Sequence, residues 1–272
     1  MSQATTTAAN HTGTIECATT FPRLIKACRS LHRVSEIWKA RSATPDWIKL
    51  TSAYIGFPVR MPFSIRLQTG LFAFQTMADL RTFWSVFFAG TYAVQPEDTL
   101  IVDAGANIGT FTLFSLLKAP HSRVIAIEPA GDCCDRLREM VAEHGFAGRC
   151  EIYQAALGQS FGSSTIDLRC GSQFRQVGKG RTIIPVIPLD HAVGNLPIDL
   201  LKMDIEGGEY PVLESSPDCL KRVDRIALEY HPDKAPKALI RSLEEVGLSC
   251  TLLREDGAGY GIAHFARPVG GA

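Results

Sequence analysis

The hydrophobic pattern changes character along the chain, helical and irregular at first, then a regular alternation of strands and helices. From residue 21 to 41 apolar side chains recur at helical spacing (Leu24, Ile25, Cys28, Leu31, Val34, Ile37, Trp38), which predicts one amphipathic helix. Its other face carries Arg23, Lys26, Arg29, Arg33 and Lys39. A basic amphipathic helix can lie on a membrane. The commoner use of such a stripe is packing, on its own domain or on a second copy in a homo-oligomer, and packing is the expectation here. Pro45, Pro58 and Pro62 punctuate the next stretch, and residues 64–74 read as two short strands around Thr69-Gly70. Asp79 is placed to cap an aromatic helix over 80–89, which Gly90 can end.

From Thr99 the pattern is regular. Apolar runs at 99–102, 123–127, 150–156, 199–203 and 225–229 read as main strands, and 107–118, 132–144 and 234–246 as helices. An added hairpin is expected from 165–168 and 182–187, and strands at 249–253 and 260–266 close the chain. Strands alternating with helices imply right-handed βαβ crossovers and a mainly parallel sheet. Continuous apolar runs suit strands covered on both faces. The last two strands, with no long helix between them, predict an antiparallel edge pair. The expected division is a small, polar, disordered tail over 1–20, a helical and hairpin elaboration over 21–95, and an α/β domain over 96–272.

Composition narrows the function classes. Twenty-eight basic residues balance 28 acidic ones among 272, so no whole-molecule field favours nucleic acid or an anionic membrane. No nucleic-acid partner is expected. No run of 18 apolar residues occurs, so no membrane span is expected, and the first residues lack the basic and apolar regions of a secretory signal. Eight scattered cysteines form no C-x-x-C pair and no zinc spacing, which suits free thiols in a reducing cytoplasm.

The chemistry begins at the first main strand, which ends on Asp103 and leads through Gly105-Ala106-Asn107-Ile108-Gly109 into a helix. In an open α/β sheet the ligand crevice lies beyond the carboxyl ends of the strands. Glycines there let the backbone approach a ligand, and Thr110 with the helix amides offers donors. A dinucleotide enzyme would prefer G-x-G-x-x-G. Here the spacing is G-x-x-x-G behind a carboxylate, which would repel a pyrophosphate and suits a ligand bearing an ammonium group. Glu128, ending the second strand, can accept hydrogen bonds from both ribose hydroxyls. Together they favour S-adenosyl-L-methionine over a nicotinamide cofactor.

These residues resemble the FkbM family of class I methyltransferases. The resemblance rests on Asp103 to Gly109, Ala126-Ile-Glu-Pro129, Ala156-Leu-Gly158, Pro188-Leu-Asp190, Leu201-Lys-Met-Asp-Ile-Glu-Gly-Gly-Glu209 and Leu228-Glu-Tyr-His231. It covers roughly residues 83–231; where the family often has Asn near the end of the second helix, this chain reads Glu143-His-Gly-Phe. The resemblance implies a Rossmann-like, mainly parallel seven-stranded sheet and S-adenosyl-L-methionine. Asp103, Gly105 and Asn107 would then hold the methionine end, Glu128 the ribose, and Gln154, Ala155 and Ala156 would flank the adenine. It suggests O-methylation of a hydroxyl on a sugar, polyketide or similar small molecule.

Methyl transfer from a sulfonium is an in-line displacement, so the protein chiefly aligns the reactants. A neutral alcohol benefits from a general base. Asp204 ends the fourth main strand, with Glu206 and Glu209 around Gly207-Gly208. They can accept the substrate proton or bind a cation, while Glu209 has the plainer use of favouring a helix N-terminus. His231, ending the fifth main strand, has a pKa suited to base catalysis. Strand alternation turns Lys202 away from Met203, where it can pair with a carboxylate. Asp204, Glu229 and His231 include metal-ligand types, but no spacing fixes them and no required metal is expected. The rival functions are a nicotinamide-dependent oxidoreductase and a non-catalytic protein of the same fold.

Overall fold

A computed structural model describes residues 32–169, 171, 175–231, 236–255 and 260–268. The tail over 1–20 and the first part of the expected basic helix lie outside the described residues.

The central sheet is built from β3 (Leu100–Ala104), β4 (Arg123–Ile127), β5 (Cys150–Tyr153), β9 (Ile198–Met203), β10 (Val223–Tyr230), β11 (Ser249–Glu255) and β12 (Gly261–Ala266). Their order is β11-β12-β10-β9-β3-β4-β5. β5, β4, β3, β9 and β10 pair in parallel, while β12 runs antiparallel to both its neighbours. The antiparallel strand is therefore one place inside the edge, and β11 forms the edge. Every residue of β3 is buried, as expected of a strand covered on both faces. From β3 the chain moves outward to β4 and β5, then returns to β9 and β10 on the other side. That reversal makes the carboxyl end of β3 the switch point where a ligand crevice forms.

Helix α4 (Thr110–Lys118) follows β3 and α5 (Gly131–Glu143) follows β4. The chain after β5 does not continue the sheet as a single strand over 150–156. It leaves at Tyr153 and re-forms as β6 (Ala156–Leu157), which joins β7 (Gly162–Ile166) and β8 (Thr182–Ile187) in a three-stranded sheet ordered β6-β8-β7. The expected hairpin is thus β7 with β8, starting earlier than its apolar residues suggest. Helix α4 starts at Thr110 rather than at Asn107, because Asn107 and Gly109 both have positive φ.

Ahead of the sheet, α1 (His32–Ala43) and α2 (Trp47–Ile55) lead to the antiparallel pair β1 (Phe63–Arg66) and β2 (Leu71–Phe74). Helix α3 (Met77–Trp84) follows. Asp79 is not its N-cap. Thr76 is, and Asp79 closes a capping box from the third helical position. A single π-helical turn, Ser85–Ala89, continues α3 and ends at Gly90 with φ 75°. The described part of the basic helix uses its stripe only in part. Ala40 is buried and Ile37 packs inward, but Val34 and Trp38 are exposed. Polar contacts turn the helix instead, since Trp84 Nε1 donates to Glu36 (2.6 Å) and Lys39 Nζ to the Phe88 carbonyl (2.9 Å). Among the described residues no helix is long and apolar enough to cross a membrane. Cys133, Cys134, Cys150, Cys219 and Cys250 are free thiols.

Candidate active site

The carboxyl ends of β3, β4, β9 and β10 surround a cavity of about 670 Å³, within the size of small-molecule sites. On one side the loop after β3 supplies Gly105, Ala106, Asn107 and, at the start of α4, Thr110. Glu128, Pro129 and Ala155 continue this wall. The loop is fastened by Glu128, whose two carboxylate oxygens accept from the Asn107 and Ala130 amides, each at 2.9 Å. Burial outweighs these bonds and pushes the Glu128 carboxyl up to about 6. Thr110 Oγ1 is buried without a hydrogen-bond partner among the described residues. A buried hydroxyl of this kind in a cavity wall is a polar group waiting for a ligand.

Several expected ligand residues are engaged within the protein or lie outside the cavity lining. Asp103 is wholly buried behind the wall, where its carboxylate meets Lys202 Nζ at 3.1 Å and accepts from Thr112 Oγ1 at 2.7 Å. Lys202 also donates to the Gly105 carbonyl at 2.7 Å and itself lines the cavity. Asp103 is therefore not among the residues lining the cavity, and its link to the cavity runs through Lys202, which also holds the Gly105 carbonyl. Gly105 has φ 78°, and a Cβ there would lie 1.7 Å from the Asp204 carbonyl oxygen. The close approach it permits is between two strand ends. Gly109, with φ 86°, packs against Leu137 and Met140 of α5 and does not line the cavity. Gln154 is also outside the lining, whereas its neighbour Ala155 is in it.

The opposite wall is acidic. After β9 the chain turns through Asp204, Ile205, Glu206, Gly207 and Gly208 into α6 (Glu209–Ser215). Glu209 is buried and organises this turn, its carboxylate accepting from the Ile205 amide at 3.1 Å and the Gly207 amide at 3.1 and 3.2 Å. That support holds Glu206 at φ 57°, where non-glycine residues are rare. Because β10 is parallel to β9, His231 arrives beside the turn. Its ring donates from Nδ1 to Glu209 at 3.0 Å and from Nε2 to Glu206 at 3.1 Å. Asp204, Glu206 and His231 thus meet as expected, with Glu209 behind them.

Electrostatics reassign their roles. Burial disfavours a charged His231, but the hydrogen bonds and charges of Glu206 and Glu209 outweigh it and push the ring up to about 10. An imidazolium at neutral pH has no lone pair for a substrate proton, which counts against His231 as the base. Burial lifts the Asp204 carboxyl above the usual carboxylate range despite Lys202 nearby. Burial and then the Asp204 charge push Glu229 up to about 7. Tyr92, which belongs to none of the predicted elements, is also a wall residue. Burial, then the charges of Asp204, Glu229 and Asp103, keep its phenol protonated well beyond the usual range. No periodicity marks it, since it stands alone in a loop between Gly90 and β3. Arg175 and Tyr260 also line the cavity and carried no sequence signal.

Residues 103–249, more than half of the chain, match the methyltransferase FkbM domain. Methyltransferase 1 of Beauveria bassiana is 29% identical over 193 residues, covering 60% of this chain and 77% of that protein. Hexuronic acid methyltransferase AglP of Haloferax volcanii is 29% identical over 164 residues, covering 58% of this chain and 66% of that protein. Methyltransferase sdnD of Sordaria araneosa is 29% identical over 164 residues, covering 56% of this chain and 55% of that protein. The fold is shared with a crystal structure of Methyltransferase FkbM from Methylobacillus flagellatus KT, at a TM-score of 0.50 and 15% identity, covering 88% of this chain and 60% of that one. The chain thus spans between 55% and 77% of the length of these relatives.

Proposed function

Because the chain belongs to the FkbM methyltransferase family, we propose that it transfers the methyl group of S-adenosyl-L-methionine to a hydroxyl of a small polar molecule. Family membership removes the nicotinamide oxidoreductase from consideration. The finer reading is carried by one observation: the loop of Gly105 to Thr110, Glu128 and the acidic cluster at Asp204 line the same cavity. Donor and acceptor chemistry can therefore meet without a domain movement.

The residues present fit the cofactor. Thr110 Oγ1 is a buried hydroxyl without a partner among the described residues, and Glu128 keeps lone pairs beyond the two amide bonds it accepts. Glu128 would hold the ribose, and Ala106, Asn107 and Thr110 the rest of the loop side. When bound, the cofactor supplies an activated methyl on a sulfonium. The chain's own part is alignment and proton removal. Asp204 is the best-placed proton acceptor, since it lines the cavity and burial raises its carboxyl above its ordinary value, making it the stronger base. Tyr92, kept protonated, can donate to an acceptor oxygen. The hexuronic acid named for the Haloferax relative supports a polyhydroxy acceptor.

The test is incubation of the protein with methyl-labelled S-adenosyl-L-methionine and a metabolite extract, read by mass spectrometry. The account expects label on a small hydroxylated molecule. Asp204→Asn should lower kcat by roughly 10²-fold or more while cofactor affinity stays within a few fold. Label found only on nitrogen, or an unchanged kcat in the variant, would remove the proposal.

A further inference from the structure

Asp204, Glu206 and His231 each offer one ligand-type atom, and these atoms lie within 4.8 Å of one another. Acidic residues often crowd together without an ion, so proximity alone decides nothing. Three features set this group apart. It mixes carboxylate oxygens with an imidazole nitrogen, and it lines the cavity rather than the outer surface. His231 is held from behind, because Nδ1 donates at 3.0 Å to Glu209, a carboxylate only 2% exposed and itself fixed by the Ile205 and Gly207 amides. Metal-bound histidines almost always donate their second N–H to such a carboxylate, which fixes the ring. That leaves Nε2 toward Glu206, with Nε2 and Oε2 3.1 Å apart. Adjacent ligands around one ion at bond lengths of ~2.1 Å stand about 3 Å apart.

Charge points the same way. The carboxylates of Asp204, Glu206, Glu209 and Glu229 act on one another here. Lys202, one of the lysines lining the cavity, is committed to Asp103. His231 is the cation between two of the carboxylates; a divalent ion at Nε2 would displace that ring proton to solvent and still leave the cluster one positive charge better balanced.

We propose that Asp204, Glu206 and His231 bind one divalent cation of the Mg²⁺ or Mn²⁺ class, with Glu209 as the positioning residue behind His231. The oxygen-rich set with one imidazole and no thiolate selects that class over softer ions. This departs from the expectation that no metal is required. On the methyl-transfer reading above, on which this use of the ion rests, it would hold an acceptor oxygen and make that hydroxyl easier to ionise. Acceptors with two neighbouring oxygens, able to chelate, would then be favoured.

The experiment titrates the chelator-treated chain with Mn²⁺ alone and follows the free ion by electron paramagnetic resonance. No cofactor or acceptor is present, so the result does not depend on the methyl-transfer reading. One Mn²⁺ per chain is expected. Glu206→Gln and His231→Ala should each weaken binding at least tenfold. Glu209→Gln, which removes no ligand, should weaken it roughly 10–100-fold. Asp135→Asn, on an exposed helix face, should leave it unchanged. Thermal unfolding with and without Mn²⁺ shows which variants are folded, and Mn²⁺ should raise the wild-type midpoint. A wild-type chain that binds no Mn²⁺, or binding unaltered in both ligand variants, overturns the proposal. A chain that binds Mn²⁺ yet methylates no hydroxyl overturns the function and leaves the cation site standing.

Discussion

Asp103 and Lys202 are an ion pair with almost no exposure, 0% and 5% for their side chains. Removing one partner leaves a buried charge without its counter-ion. Lys202→Met should cost ~3–5 kcal/mol in urea unfolding, and adding Asp103→Asn should return part of it. If the single variant is as stable as wild type, the pair is not the anchor described above. Gly105 is the other sensitive point. An added Cβ would meet the Asp204 carbonyl oxygen at 1.7 Å while φ stays at 78°. Gly105→Ala should therefore lose roughly 2–5 kcal/mol, combining overpacking with a left-handed backbone penalty. Wild-type stability there would show that the strand ends are not in contact. The role first read for Gly105, closeness to a ligand, is joined by a structural one. No pattern around Gly105 could announce a neighbour some hundred residues later in the chain.

At the scale of elements, the segment β3–α4–β4 was legible because period and order agree, an apolar strand, a glycine turn, a helix, a strand and Glu128. What failed were places where tertiary contacts override a local pattern. The run over 150–156 is continuous in hydropathy but divides at Tyr153, since Ala156 and Leu157 pair with Val186 and Ile187 in another sheet. Helix α1 engages its charged Glu36 and Lys39 and leaves Trp38 exposed, because distant partners on Trp84 and Phe88 outweigh the apolar stripe. His144, at the departure from the family pattern, has a use that sequence did not reveal. Its Nδ1 shares a 2.6 Å hydrogen bond with Thr69, and Nε2 lies 3.2 Å from the Leu71 carbonyl, tying β1 and β2 to the end of α5. His144→Ala should cost about 1–3 kcal/mol. Hydrogen exchange should quicken in residues 63–74 and not in β3 or β9. Equal quickening in β3 would show that the hairpin is not a separately tethered unit.

For the whole molecule, the parallel sheet sets the function by bringing two chemistries to one edge. The reversal of strand order at β3 places the loop of Gly105 to Thr110 beside the turns after β9 and β10. That juxtaposition was foreseeable in outline from the alternation of strands and helices. The support of His231 by Glu209, 22 residues earlier, was not, since only parallel pairing of β9 with β10 brings them together. The central claim is that this cavity binds S-adenosyl-L-methionine with Glu128 as the ribose acceptor. Calorimetric titration of the cofactor into the wild type and Glu128→Gln, from pH 8 to pH 5, tests it most directly. On this reading a charged Glu128 accepts both ribose hydroxyls, while burial pushes its carboxyl up to about 6 when no cofactor is bound. Affinity should therefore hold above that pH and fall toward tenfold per unit below it, as proton and cofactor compete. Glu128→Gln should bind roughly 10–100-fold more weakly at pH 8, the loss of charge-assisted hydrogen bonds, and with little pH dependence in this range. Equal affinity in the two proteins, or no binding of the cofactor by the wild type, would contradict the account.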